Sequence, residues 1–330
     1  MLLSQFLRED GGVQIVARDG PEAYRVRTTA TLYEVAQACI AEVVPIREYI
    51  AWLGLGTAVD LEAIYAAGRM LPPVAHPDPA HLHLTGTGMT HLGSATLRAA
   101  MHGREGACET DSMRMFQLGL AGGKPTNAAA GVQPEWFYKG NGTWLVAPGA
   151  RLAAPDFAEA CGEEPEIAGV YLIAPDGMPV RLGFALANEL CDHAMERRNY
   201  LYLAHSKLRP AAIGPELLVG DLPPHIEGTS RILRGERVVF EAPFLSGEAN
   251  MSHSLANLEH HHFKYAPFRQ PGDLHVHMFG SAAHSVADGI AAQDGDIFEI
   301  AAAPFGLPLR NRLTFTPRRA AEPRTAIRIL

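Results

Sequence analysis

"GEEPEIAGVYLIAPDGMPVRLGFALANEL", residues 162–190, reads as two apolar strands around a tight Pro-Asp-Gly turn, and its reading decides the fold. Glu164 and Glu166 stand at the start of the first strand. Residues i and i+2 of a strand share a face, so these carboxylates project together while Pro165 and Ile167 face the other way. Like charges at such range repel, and at neutral pH they need a counter-cation, a shared proton or full solvation. The returning strand brings a third acid, Glu189, about where an antiparallel neighbour meets the pair. Three converging carboxylates that leave positions for water and substrate oxygens suit Mg²⁺, with Mn²⁺ or Ca²⁺ as alternatives. A solvent-facing edge strand with ordinary solvated acids is the reading that the residues leave open beside it.

Outward from this hairpin, short apolar runs separated by Gly, Pro and Asp continue: "TWLVAPGARL", "GTSRILRGERVVFEAPF", "GDLHVHMFGS" and "GDIFEIAAAPFGLPLRNRL". Many short strands with tight turns, "RGE" among them as a second hairpin, point to a mainly β domain with some helices. One helix is expected in "SHSLANLEHHHFKY", capped by Ser252 or Ser254. Toward the N-terminus, "TTATLYEVAQACIAEV" and "VDLEAIYAAGRML" have helical length and pattern. "LPPVAHPDPAHLH", residues 71–83, carries four prolines and suits an extended connector. The class is therefore α+β, with a small N-terminal α/β region over 1–75 and a larger domain over 76–330.

The chain has 330 residues, 47% hydrophobic and 19% charged, an ordinary globular balance for about two domains. A net charge of −8 with no basic block gives no grip on a run of phosphates, so nucleic acid is not an expected partner. The start, "MLLSQFLREDGG", reaches Arg8, Glu9 and Asp10 before an apolar signal could form, and no apolar stretch approaches about 18 residues. The expectation is a cytoplasmic protein without a membrane partner. Cys39, Cys108, Cys161 and Cys191 lack metal or scaffold spacing and read as free thiols. In the tail, Arg310, Arg312, Arg318, Arg319, Arg324 and Arg328 face one acid, Glu322, and read as an arm on this subunit or a neighbour.

Histidine offers a second route to a metal. His275 and His277 share a strand face, whereas His260, His261 and His262 diverge by about 100° each on a helix and cannot all serve one ion. Satisfied core or surface histidines are the reading adopted for both groups. "GGKPTNAAAG" lacks the spacing of a phosphate loop, and "LTGTGMTHLGS" lacks that of a dinucleotide fold. The latter reads as a mobile segment carrying Thr90 and His91. No nucleophilic serine motif is present.

Taken in order, "FYKG" at 137–140, "APG" at 147–149, "EPEIAGVYL" at 164–172, "ANELCD" at 187–192, "SKLRPAAIGPELL" at 206–218, "PGDLHVHMFGS" at 271–281 and "GDIFEI" at 295–300 resemble the fumarylacetoacetase superfamily over about residues 130–312. The resemblance implies a mixed β-roll catalytic domain, a homodimer and a Mg²⁺-type site reading E-x-E plus a later acid. By position, Glu164 and Glu166 match the E-x-E, and Glu189 stands where the family usually has Asp. Lys207 matches the lysine after the ligand strand, and Tyr138 and Lys139 the aromatic-plus-lysine segment lining the substrate pocket. Gly280 and Ser281 stand for Gly-Thr. His91 falls where relatives carry a catalytic histidine, with Glu105 or Glu109 as its candidate carboxylate partner.

"NELCDHAMERRNYLYLAHSKLRPAAIGPELLVGDLP" is similar to a branch containing 2-keto-3-deoxy-sugar-acid dehydratases, in particular for 2-keto-3-deoxy-L-arabinonate. This similarity implies a lyase: the divalent ion chelates a 2-oxo sugar acid and stabilises an enolate, with Lys207 or His91 as base and the other, or Lys139, as acid or carboxylate anchor. Loss of the C4 hydroxyl then gives α-ketoglutarate semialdehyde. Two alternatives stand beside it: a C–C hydrolase of an acylpyruvate, and a non-catalytic metal-dependent binder of 2-oxo acids.

Overall fold

The computed structural model describes residues 1–94, 110–127, 129–317 and 324–330. Its strands are β1 (Leu2–Leu7), β2 (Val13–Arg18), β3 (Ala23–Val26), β4 (Leu55–Val59), β5 (Met70–Leu71), β6 (Leu82–Gly88), β7 (Glu135–Asn141), β8 (Leu145–Val146), β9 (Arg151–Ala154), β10 (Cys161–Gly162), β11 (Pro165–Ile173), β12 (Pro179–Glu189), β13 (Cys191–Asp192), β14 (Ala211–Leu218), β15 (Ile226–Arg234), β16 (Arg237–Ser246), β17 (Leu274–Met278), β18 (Ile297–Ala302) and β19 (Leu309–Phe315). The helices are α1 (Leu32–Glu42), α2 (Ile46–Leu53), α3 (Leu61–Ala66), α4 (Asp111–Gly122), α5 (His193–Arg198), α6 (Leu203–Lys207) and α7 (Leu255–Phe263). The α+β class and mainly-β architecture are as expected.

One sheet runs β4-β3-β2-β1-β14-β12-β11-β17-β6-β7, with β5 added on β1 and β8 on β14. A second runs β16-β15-β18-β19-β9, and β10 pairs with β13. The central hairpin is the one read from the sequence: Pro165 pairs with Asn188 and Ile173 with Pro179 around the 174–178 turn. All nine residues of β11 are buried because both sheet faces are covered. Ala168, Val170 and Leu172 pack in a core with Leu32, Val35 and Ala36 of α1. Ile167 on the opposite face joins a core with Ile232, Phe298 and Leu313 of the second sheet and Leu258 of α7. The "RGE" hairpin forms between β15 and β16, and Ser254 caps α7 by accepting from the Asn257 amide at 3.2 Å.

The N-terminal region holds more strand than its helical patterns suggested. β1, β2 and β3 form a meander, and β1 joins the large sheet by pairing with β14. α1 lies within the first helical pattern and begins at a capping box in which Thr31 and Glu34 satisfy each other's amides. α2, two turns long behind Pro45, and β4 fill the chain between the two stretches of helical pattern. Arg310 and Arg312 of the basic tail lie in β19, Arg310 pairing with Glu299 at 2.6 Å and Arg312 donating to the Gly295 carbonyl. Arg318, Arg319 and Glu322, like Cys108, Glu105 and Glu109, lie outside the described residues. Among the described residues, no helix is long and apolar enough to cross a membrane.

Strand direction sets up the site. β11 runs antiparallel to β12 and β17, β17 parallel to β6, and β6 antiparallel to β7. The start of β11, the ends of β12, β17 and β6, and the start of β7 therefore meet at one end of the sheet.

Candidate active site

That end gathers Glu164 and Glu166, Glu189, Gly280, Gly88 and Glu135. Register explains the convergence of the acids: Glu166 lies opposite Ala187, so Glu189, two residues on, shares its face. The Glu189 amide also donates to the Glu164 carbonyl at 3.1 Å, which ties the segment ahead of β11 to the end of β12. All three acids are buried, and one ligand oxygen from each lies within 4.8 Å of the others.

Two lysines balance the charge. Lys207, at the end of α6, donates to both Glu164 oxygens at 2.8 and 2.9 Å and to Glu189 Oε2 at 3.1 Å, with its ammonium 4.8 Å from the Phe137 ring centre. Lys139, fully buried, gives its three protons to Glu189 Oε1 at 3.1 Å and to the Leu190 and Lys207 carbonyls at 2.6 and 2.9 Å. Its donors are thus spent on holding Glu189 and the lysine segment rather than turned into a pocket. Burial opposes the charge on Lys207, but Cys191, Glu164, Glu189 and Glu196 around it hold the ammonium well above the ordinary lysine range.

Glu166 has no such partner. Its Oε2 accepts from the Gly280 amide at 2.7 Å, and its buried Oε1 has no hydrogen-bond partner. Burial, together with the charges of Glu189 and Glu164, pushes its carboxyl well above the usual range. Glu189 is raised mainly by burial, while Glu164 is pulled below its ordinary value because Lys207 and His193 outweigh burial. Gly280 is required where it stands: its φ is 96°, and a Cβ there would collide with Thr90 Oγ1 and the Thr87 carbonyl. An all-oxygen set with an orphaned, buried carboxylate oxygen fits a hard divalent cation.

The adjoining cavity has a volume of about 40 Å³ and is lined by Glu164, Lys207, Gly280, Ser281, Glu135, Glu196 and His284 among others, room for an ion and water rather than for a sugar acid. Ser281 is at its wall with its hydroxyl turned to Ala283. Tyr138 projects from the opposite face of β7, exposed and beside His83. His91, beside Gly280, makes no hydrogen bond to the acids. The supposedly mobile segment is clamped in place, with the Ser252 amide on the Thr90 carbonyl at 2.7 Å and the Leu92 amide on Asn250. His91 Nε2 lies 3.0 Å from Ser246 Oγ, burial lowers its pKa to about 4, and the ring borders a separate cavity of about 930 Å³. His275 and His277 are buried partners of His262 and Thr85, held neutral with pKa values lowered to about 2 and about 3 by burial.

Sequence reasoning missed Glu135, whose carboxylate enters the cavity and accepts from Tyr200 at 3.1 Å, and it missed His193 and Glu196 beside Glu164. The i, i+3 spacing of the latter pair on one helical turn behind Glu189 was the available signal.

No family model matches the sequence, and no curated protein matches it. The fold is shared with solved structures. A 2-keto-3-deoxy-D-arabinonate dehydratase complexed with magnesium and 2,5-dioxopentanoate superposes with a TM-score of 0.70 at 19% identity, over 97% of this chain and 100% of that one. Its apo form gives 0.69 at 19%, over 96% and 99%. A 5-carboxymethyl-2-hydroxymuconate delta-isomerase from Mycobacterium smegmatis gives 0.56 at 15%, also over 96% and 99%. The resemblance read from the motifs is thus borne out at the level of the fold, across nearly the whole chain.

Proposed function

We propose that this protein is a divalent-metal-dependent dehydratase of a 2-keto-3-deoxy sugar acid, a pentonate of the 2-keto-3-deoxyarabinonate kind, within the fumarylacetoacetase superfamily. The observation that carries the reading is the buried Glu164–Glu166–Glu189 cluster with the orphaned Glu166 Oε1, on a fold shared with a dehydratase of that class bound to magnesium and a 2-oxo acid. These three acids would hold the ion, which when bound supplies a Lewis acid for the oxygens of a 2-oxo acid.

Glu135 and Glu196 line the cavity outside that cluster; Glu196 lies against Cys191 and His193, and we assign Glu135 the removal of the C3 proton. The C3–H electron pair forms the new double bond, the C4–O bond breaks, and a proton from Lys207 leaves with the hydroxyl as water. A C5 proton then moves to C3, leaving the C4=C5 enol, and the hydroxyl proton of that enol moves to C4, which yields the C5 aldehyde. Gly280 holds Glu166 through its amide, and Lys139 holds Glu189. A five-carbon acid needs more than 40 Å³, so its entry displaces part of the wall made by Thr87–Met89 and Ser94. The same reading includes a cytoplasmic homodimer, which light scattering of the purified chain would test for assembly.

Mass-spectrometric product analysis tests the reaction, using Mg²⁺ with both 2-keto-3-deoxy-arabinonate enantiomers and acetylpyruvate. Loss of one water without chain cleavage from a pentonate supports the dehydratase. Pyruvate from acetylpyruvate alone assigns a C–C hydrolase instead, and ligand binding without turnover assigns a binder.

A further inference from the structure

We propose that Cys191, His193, Glu196 and Glu164 form a binding site for a thiophilic divalent cation of the Zn²⁺ class, distinct from the all-oxygen position and coupled to it through Glu164. The donors come from three short elements brought together at the same sheet end: Glu164 ahead of β11, Cys191 in β13, and His193 and Glu196 one turn apart on α5. One ligand atom from each lies within 4.8 Å of all the others, and all four residues are buried.

Three of the six separations match a tetrahedral ion, and all six are within 4.8 Å. Metal–ligand bonds of about 2.0–2.3 Å place tetrahedral ligands roughly 3.3–3.8 Å apart. Here Cys191 Sγ is 3.4 Å from Glu196 Oε2, and His193 Nδ1 is 3.8 Å from both Glu196 Oε2 and Glu164 Oε1. His193 supplies the independent sign of a ligand: its side chain is 1% exposed, yet neither ring nitrogen has a hydrogen-bond partner. A buried imidazole left that way costs free energy that an ion at Nδ1 would offset. The ring is held where it is by stacking on His284, with centroids 4.9 Å apart, and by Gly162, where a Cβ would touch the imidazole at 2.9 Å. Asp192 fixes the start of α5 by capping it and pairing with Arg209 at 2.8 Å.

The donor chemistry separates the two positions. Sulfur, nitrogen and two carboxylates select Zn²⁺ or Co²⁺ over Mg²⁺, whereas Glu164, Glu166 and Glu189 offer only oxygen. On entry of the ion the Cys191 thiol gives its proton to solvent and binds as thiolate. Glu164 is drawn from its contact with Lys207, so the soft ion and the hard ion weaken each other's binding by the same factor.

The test uses the whole chain, stripped of metal and then saturated with Mg²⁺, titrated with Co²⁺ for its spectrum and with Zn²⁺ against a competing chelator. One Co²⁺ equivalent should show the ultraviolet sulfur-to-metal charge-transfer band of a thiolate ligand. Cys191→Ser should abolish that band, and both Cys191→Ser and His193→Gln should weaken Zn²⁺ binding at least about 100-fold, beyond the loss expected for an outer-shell partner. Mg²⁺ affinity and circular dichroism of the two variants report that they fold. Glu166→Gln, which releases the competing Mg²⁺, should not weaken Zn²⁺ binding by more than about threefold. Absence of the band in the parent protein, or unchanged Zn²⁺ affinity in a folded Cys191→Ser, overturns the proposal. So does equal weakening by Glu166→Gln and Cys191→Ser, which places the ion among the three carboxylates. Because the readout is binding, inactivity toward every sugar acid would leave this result standing.

Discussion

Replacing Glu166 with glutamine should strengthen the metal-free protein while weakening its grip on a hard cation. The side chain keeps its shape, and an amide oxygen can still accept from Gly280 at 2.7 Å. What disappears is a charge facing Glu164 and Glu189 without a lysine of its own. At an effective dielectric of about 20, two unit charges at 4.8 Å, the upper bound of the separations in the cluster, repel by about 3.5 kcal/mol, a scale that relaxation and the nearby Lys207 reduce. A gain of about 1–3 kcal/mol near neutral pH is expected in the variant.

The sign follows from the raised carboxyl. A folded-state pKa above the ordinary glutamate value of 4.5 means that the folded chain holds this proton more tightly than the unfolded one, so the penalty is absent below about 4.5 and grows as pH rises toward the folded value. The variant's advantage should therefore be present at pH 7.5 and vanish at pH 4. Urea denaturation in a chelator at both values measures it, and calorimetric Mg²⁺ titration should show at least about 100-fold weaker binding, the loss of one of three charged ligands. A variant that is less stable than the parent at pH 7.5 and binds Mg²⁺ equally well would refute the reasoning.

Lys207→Met leaves Glu164 and Glu189 buried without their shared cation and should cost about 3–5 kcal/mol of metal-free stability. Saturating Mg²⁺ should recover part of that loss in a thermal melt, since the ion replaces the missing charge. Ser254→Ala removes the α7 cap and should cost about 1 kcal/mol in urea denaturation, with Mg²⁺ affinity unchanged. Glu135→Gln should reduce turnover of the pentonate by at least about 100-fold, with Mg²⁺ affinity held, if it takes the C3 proton. His91→Gln should lower turnover less than tenfold, since His91 contacts Ser246 and a separate cavity rather than the acids; a loss as large as that of Glu135→Gln would return it to the chemistry.

The central hairpin was legible because apolar runs of strand length flank a turn whose residues demand it, and the i, i+2 rule then put the two acids on one face. Glu189 followed from the return of the chain. The N-terminal meander was less legible: "LLSQFL" and "VQIVAR" mix polar and apolar residues because Ser4, Gln5 and Gln14 are buried with them, Gln14 donating to the Ile15 and Val26 carbonyls. Burial of such polar groups is decided by partners that a linear reading does not show. The same limit applies to the lysines. Motif position brought Lys139 and Lys207 to the acids, but only three-dimensional contacts show that Lys139 spends every proton on the protein. His91 lies next to Gly280 in space, yet its Nε2 is turned to Ser246, an orientation fixed by pairing with the 250–252 segment. Glu135, His193 and Glu196 belong to segments whose convergence depends on the order of strands in the sheet.

The most direct measurement is an anomalous difference map from crystals of the protein soaked in Mn²⁺ with a 2-oxo acid. One strong peak is expected, contacted by Glu164, Glu166 and Glu189, with Glu166 Oε1 as a ligand. A map without a peak there, or with Mn²⁺ bound while Glu166 Oε1 stays free, would contradict the central claim that this carboxylate cluster is a hard-cation site.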